Sequence, residues 1–98
     1  MLKKSYVKNS PSCRVTFKYA NEEQADSAVL AGDFNGWDLR AAPMKRLKDG
    51  SFSVTVSLAA PGVYRFRYVL DGNIWVNDPE ADGYVGNDFG GEDSLAKI

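Results

Sequence analysis

Tyr64-Arg65-Phe66-Arg67-Tyr68-Val69-Leu70-Asp71-Gly72-Asn73-Ile74-Trp75 is the stretch on which the fold turns. Its first half alternates: Tyr64, Phe66, Tyr68 and Leu70 share one parity, while Val63, Arg65, Arg67 and Val69 share the other. A period of two marks a half-buried strand, so the aromatic parity faces a core and the arginines face outward. Asp71-Gly72 tolerates the positive φ of a two-residue primed turn and predicts a hairpin. On the return strand Ile74 and Val76 take one parity, Trp75 and Asn77 the other. With the two aliphatic residues inward, the Trp75 indole is driven to the outer face, where Arg67 also stands. A polar donor beside an exposed aromatic plate is the make-up of a recognition surface.

Around this hairpin, composition removes several classes of function. A chain of 98 residues holds one domain with a modest core. The formal net charge is −1, with 26% charged residues, which argues against a nucleic-acid binder that tracks phosphates. There is no histidine, so the commonest general base, the usual nucleophile triad and most zinc sites are missing together. The single cysteine, Cys13, excludes an internal disulfide and fits a reducing compartment. The basic start Met1-Leu2-Lys3-Lys4-Ser5 is followed by no apolar run, so neither a signal peptide nor a membrane span is expected. The expected setting is the cytoplasm.

Residues 1–12 read as a flexible, lysine-bearing lead-in that ends at Ser10-Pro11-Ser12. The remainder, 13–98, reads as one sandwich domain. Cys13, Val15, Phe17 and Tyr19 alternate with Arg14, Thr16 and Lys18 as a strand, and Asn21-Glu22-Glu23-Gln24-Ala25-Asp26 follows as a solvated connection. Ala28-Val29-Leu30-Ala31-Gly32 is a second strand that empties into Asp33-Phe34-Asn35-Gly36-Trp37. Asn35-Gly36 signals a turn, with Phe34 assigned to the core and Trp37 to the surface. Asp38 to Lys48 shows no helical period, and Met44 and Leu47 are expected to close the end of the core. Phe52, Val54, Val56 and Leu58 then alternate with serines and a threonine, the cleanest strand in the chain. Short strands over Tyr84-Val85 and Ser94 to Ile98 complete the pattern. Alternating strands separated by Gly, Pro, Asn and Asp describe an all-β, immunoglobulin-like antiparallel sandwich.

Gly32-Asp33-Phe34-Asn35-Gly36-Trp37, Phe66 to Gly72, Trp75 and Asn77-Asp78-Pro79 together resemble the starch- and glycogen-binding early-set modules. Such modules stand at the N-termini of isoamylase, pullulanase and glycogen branching enzymes and in the β subunit of AMP-activated protein kinase. The resemblance runs from Cys13 to Ile98 and is similar in form to an isoamylase early-set domain standing alone. It implies a non-catalytic domain that binds α-1,4-glucans such as glycogen, starch and maltooligosaccharides, with no cofactor, no metal, no nucleic acid and no membrane. Carried over by position, it implies that Trp37 and Trp75 are sugar platforms and that Arg67 replaces a lysine. It also implies that Phe89 stands where a loop leucine enters the glucan ring, and Asp93 where an asparagine binds hydroxyls. One departure is plain: both Asn73 and Ile74 separate Gly72 from Trp75, one residue more than in the kinase-type pattern.

Two other functions compete. A glycoside hydrolase would need a carboxylate pair such as Asp33 and Asp78, but carboxylates beside Gly and Pro are ordinary turn makers and no catalytic barrel is encoded. A protein-interaction or dimerisation module would dock through a sheet face or edge onto a separately encoded glycogen-metabolising enzyme. The sequence leaves the oligomeric state open.

Overall fold

The computed structural model describes residues 2–98. Two antiparallel sheets face each other. The first, in spatial order β1-β2-β5-β4, joins β1 (Leu2–Tyr6), β2 (Ser12–Tyr19), β5 (Phe52–Ala59) and β4 (Lys45–Arg46). The second runs β3 (Ala28–Gly32), β6 (Val63–Leu70), β9 (Glu92–Lys97) and β8 (Gly83–Gly86), with β7 (Ile74–Val76) also paired to β6. A short 3-10 turn, Asp33–Asn35, is the only helical element among the described residues. The all-β sandwich expected from the alternation is the fold that forms.

The alternation works as the sequence requires. Cys13, Val15 and Phe17 of β2, Phe52 of β5, Leu30 of β3 and Phe66, Tyr68 and Leu70 of β6 all point inward and are buried. Phe66 meets Phe17 across the sheets edge to face, with ring centroids 4.9 Å apart at 71°. Phe34 lies over Phe17 at 6.1 Å, as its assignment to the core anticipates. Burying an aromatic ring of this size removes roughly 150–250 Å² from water, so these rings supply much of the drive to fold.

Tyr68 carries a polar atom into this interior and finds a partner there. Its hydroxyl donates to Asp78 Oδ2 at 2.8 Å. Asp78, also fully buried, takes the Glu80 amide on Oδ1, while its own amide donates to Ser94 Oγ. Burial, then the Asp78 carboxylate, pushes the Tyr68 phenol well above its ordinary range and keeps it protonated. Asp78 therefore stitches the loop after β7 to β6 and β9.

Several local expectations are corrected. Residues 2–6, read as part of a flexible lead-in whose first residue lies outside the described ones, form strand β1. They pair in register with β2 from Leu2↔Phe17 to Tyr6↔Cys13. Lys4 reinforces the pairing by reaching across to Asp82 Oδ2 at 2.7 Å, just before β8 of the other sheet. Two charges spaced along a short run conceal an edge strand because its apolar signal is only Leu2. Asn21 and Ala25, placed in a solvated connection, are buried, and the Asn21 side-chain amide donates to Ala25 O and Gly50 O. Met44 closes the core as expected. Leu47 stays half-buried outside it, and Ala42 takes that place. Ile74, expected inside, is 49% exposed: it opposes Leu70 in the last pair before the hairpin loop.

Removing the Tyr68 hydroxyl leaves a buried carboxylate short of a donor. Tyr68→Phe should lower unfolding free energy by about 1–3 kcal/mol in a urea titration followed by circular dichroism. Acid should act on a second contact. Burial alone would push the Asp82 carboxyl up, but hydrogen bonds from the Lys4 ammonium and the Lys97 amide outweigh it and hold the group below the usual carboxylate range. Its contribution to stability is therefore present above about pH 4, where an unfolded Asp ionises, and is lost as the pH falls through the lowered folded-state value. Asp82→Asn should flatten that part of the acid limb of the melting temperature against pH.

Candidate functional site

Trp37 reaches the surface on a turn built by the residues before it. Gly32 ends β3 where a side chain has no room, since a Cβ would collide with the Phe34 ring and the Arg65 carbonyl. Asn35 clasps the turn twice: Oδ1 accepts from Gly32 N and Nδ2 donates to Leu30 O, both at 3.1 Å. Gly36 and Trp37 then take positive φ, 66° and 59°, and Trp37 N donates back to Gly32 O at 2.9 Å. For a bulky residue this backbone region costs about 1–3 kcal/mol, so the clasp holds an otherwise unfavourable display.

Trp75 is placed by register. Asp71 and Gly72 do adopt positive φ, 50° and 79°, but pairing resumes at Leu70↔Ile74, so the loop holds three residues and not the expected two. The extra residue is Asn73, whose amide donates to Leu70 O at 3.1 Å. It decides the site. Were Asn73 paired with Leu70 across a two-residue turn, Trp75 would oppose Tyr68 and point into the core; with Asn73 kept in the loop it opposes Val69 and points outward. Keeping Asn73 out of the ladder thus absorbs the extra residue and holds the indole on the outer face. Trp75 is 40% exposed, and its ring lies 6.4 Å from that of Trp37, tilted by 44°.

The third wall is the loop between β8 and β9. Asn87 organises it as Asn35 organises the first: Asn87 N donates to Gly91 O, and Oδ1 accepts from Phe89 N and Gly91 N. Phe89 projects from the tip at 96% exposure, so it is not an anchor for the loop. The Asn87 side-chain amide also donates to Asp93 Oδ1 at 3.1 Å.

All five residues singled out from the sequence, Trp37, Arg67, Trp75, Phe89 and Asp93, line one groove of about 480 Å³. That volume falls in the range of small-ligand sites. Arg65, Asn87 and Asp88 line it too and were missed. Arg65 was legible, since it shares the outward parity of Arg67 two residues away; Asn87 and Asp88 sit in a loop whose sequence carries no periodicity. The formal charges of Arg65 and Arg67 balance those of Asp88 and Asp93. The groove thus joins two aromatic faces to a neutral set of donors and acceptors. Asp33 and Asp78, weighed as a hydrolytic pair, line none of it: Asp33 accepts from Arg65 N, and Asp78 is buried under Tyr68.

Residues 13–91 match the family described as the glycogen recognition site of AMP-activated protein kinase. The chain belongs to that family. Its membership accords with the resemblance read from the motifs and makes carbohydrate the class of ligand. A search of curated proteins finds no match. The matched span begins at β2 and stops before β9, so it takes in Trp37, Arg67, Trp75 and Phe89 and leaves out β1 and Asp93. No helix among the described residues is long and apolar enough to cross a membrane.

Deleting Asn73 should shorten the connection to Asp71-Gly72 while keeping Ile74 opposite Leu70 and Trp75 opposite Val69, so the indole should stay on the outer face. The expected outcome is a tryptophan emission maximum and acrylamide quenching close to those of the parent. A blue-shifted emission with reduced quenching would show that the face of the indole is not set by the pairing of Ile74 with Leu70.

Proposed function

We propose that this domain is a non-catalytic module that binds α-1,4-glucans by laying glucose rings on Trp37 and Trp75. The observation that carries the reading is the convergence of both indoles and both arginines on a single groove. An α-glucan presents apolar C–H faces and a rim of hydroxyls. Tilted plates follow the curve of such a chain, and the polar groups between them meet its edge.

The magnitudes suit such a role. If each indole covers about 50 Å² of sugar face, burial yields roughly 1–2 kcal/mol per plate when both surfaces are counted. Hydrogen bonds to hydroxyls add about 1 kcal/mol each. After the cost of ordering a flexible glucan, a dissociation constant of about 10 μM to 1 mM is expected. Weak single contacts suffice on a polymer that offers many of them. A cytoplasmic setting belongs to the same reading and is supported by Cys13, which is kept as a buried free thiol.

Titrating maltoheptaose against intrinsic tryptophan fluorescence should give a saturable change in that range. The double variant Trp37→Ala, Trp75→Ala should lose binding while keeping its β-sheet circular dichroism. Undiminished calorimetric binding by that variant would overturn the role given to the indoles.

A further inference from the structure

The two arginines of β6 stand on one face of one strand, but they are differently engaged. The Arg67 guanidinium is turned onto Trp75: Nη2 donates to the Trp75 backbone carbonyl at 3.2 Å, and Cζ lies 6.0 Å from the ring centroid. Its Nε is buried and has no hydrogen-bond partner, so no ligand oxygen reaches it from the groove. Arg65 has the opposite character. Its side chain is 45% exposed, and its guanidinium faces Asp93 with Nη1 and Oδ2 3.8 Å apart. That gap exceeds a direct hydrogen bond, yet it is short enough for one hydroxyl oxygen to touch both groups. Asp93 cannot swing away, because Asn87 holds its other oxygen.

Resting on the glucan reading above, we infer that Arg65 is the arginine that donates to the sugar, working with Asp93 as acceptor, and that Arg67 is a positioning residue that braces Trp75. A hydroxyl entering the gap accepts from Arg65 and donates to Asp93, so the pair is matched to an uncharged polyol.

The test compares Arg65→Gln and Arg67→Gln with the parent by calorimetric titration of maltoheptaose and by near-ultraviolet circular dichroism of the free proteins. Arg65→Gln should weaken binding roughly tenfold, the worth of one hydrogen bond to a charged donor, and leave the free-state tryptophan bands unchanged. Arg67→Gln should alter those bands before any sugar is added, because Trp75 loses its brace. Arg65→Lys should recover part of the lost affinity. Equal binding by Arg65→Gln and parent overturns the assignment of the donor while leaving the glucan reading intact. An unaltered free-state spectrum in Arg67→Gln overturns the brace. A parent that binds no maltoheptaose defeats the glucan reading and the donor assignment together.

Discussion

Phe66 set edge-on against Phe17 is the contact from which the rest of the molecule takes its bearings. It locks one residue of β6 to the inner face, and a strand has no freedom to turn one side chain without turning all of them. Tyr68 and Leu70 follow inward; Arg65 and Arg67 follow outward. The aromatic contacts extend on either side, from Tyr64 through Phe34 to Phe17 and from Phe66 through Tyr68 to Tyr19. A row of rings thus ties the two sheets together over the length of the central strand. The groove residues on the far side of that strand inherit their positions from packing they do not take part in.

What the sequence discloses and what it hides divide along physical lines. The strands with long alternating runs, β2, β5 and β6, are legible because each buries a whole face, and burial writes a period into the residues. The turn at Asp71-Gly72 is legible through its backbone preference, but its length is not, since Asn73 is as acceptable in a strand end as in a loop. That one residue is worth a complete inversion of β7. β1 escapes notice because an edge strand keeps only half its hydrogen bonds and little apolar surface. Arg65 escaped for another reason: the parity was visible, but nothing in a linear sequence says that Asp93 will stand across from it.

The groove draws on two kinds of support. Arg65, Arg67 and Trp75 project from paired strands, whose spacing is fixed by the ladder. Trp37 and Phe89 come from loops, each wound around an asparagine that satisfies several backbone groups at once. Asn35 bonds Gly32 and Leu30; Asn87 bonds Phe89, Gly91 and Asp93. Asparagine suits both places because its amide offers donors and an acceptor on one short stem. The Trp37 loop is also fastened to the sandwich, by Phe34 packed on Phe17 and by Asp33 accepting from Arg65 N.

The left-handed backbone at Trp37 has a kinetic corollary. If glucose rings stack on Trp37 as proposed, a backbone already set in the displayed shape has less to rearrange as they arrive or depart, which favours fast encounter and release. On the proposed glucan role, such a domain would exchange between rings of a polymer without remaking its own loop.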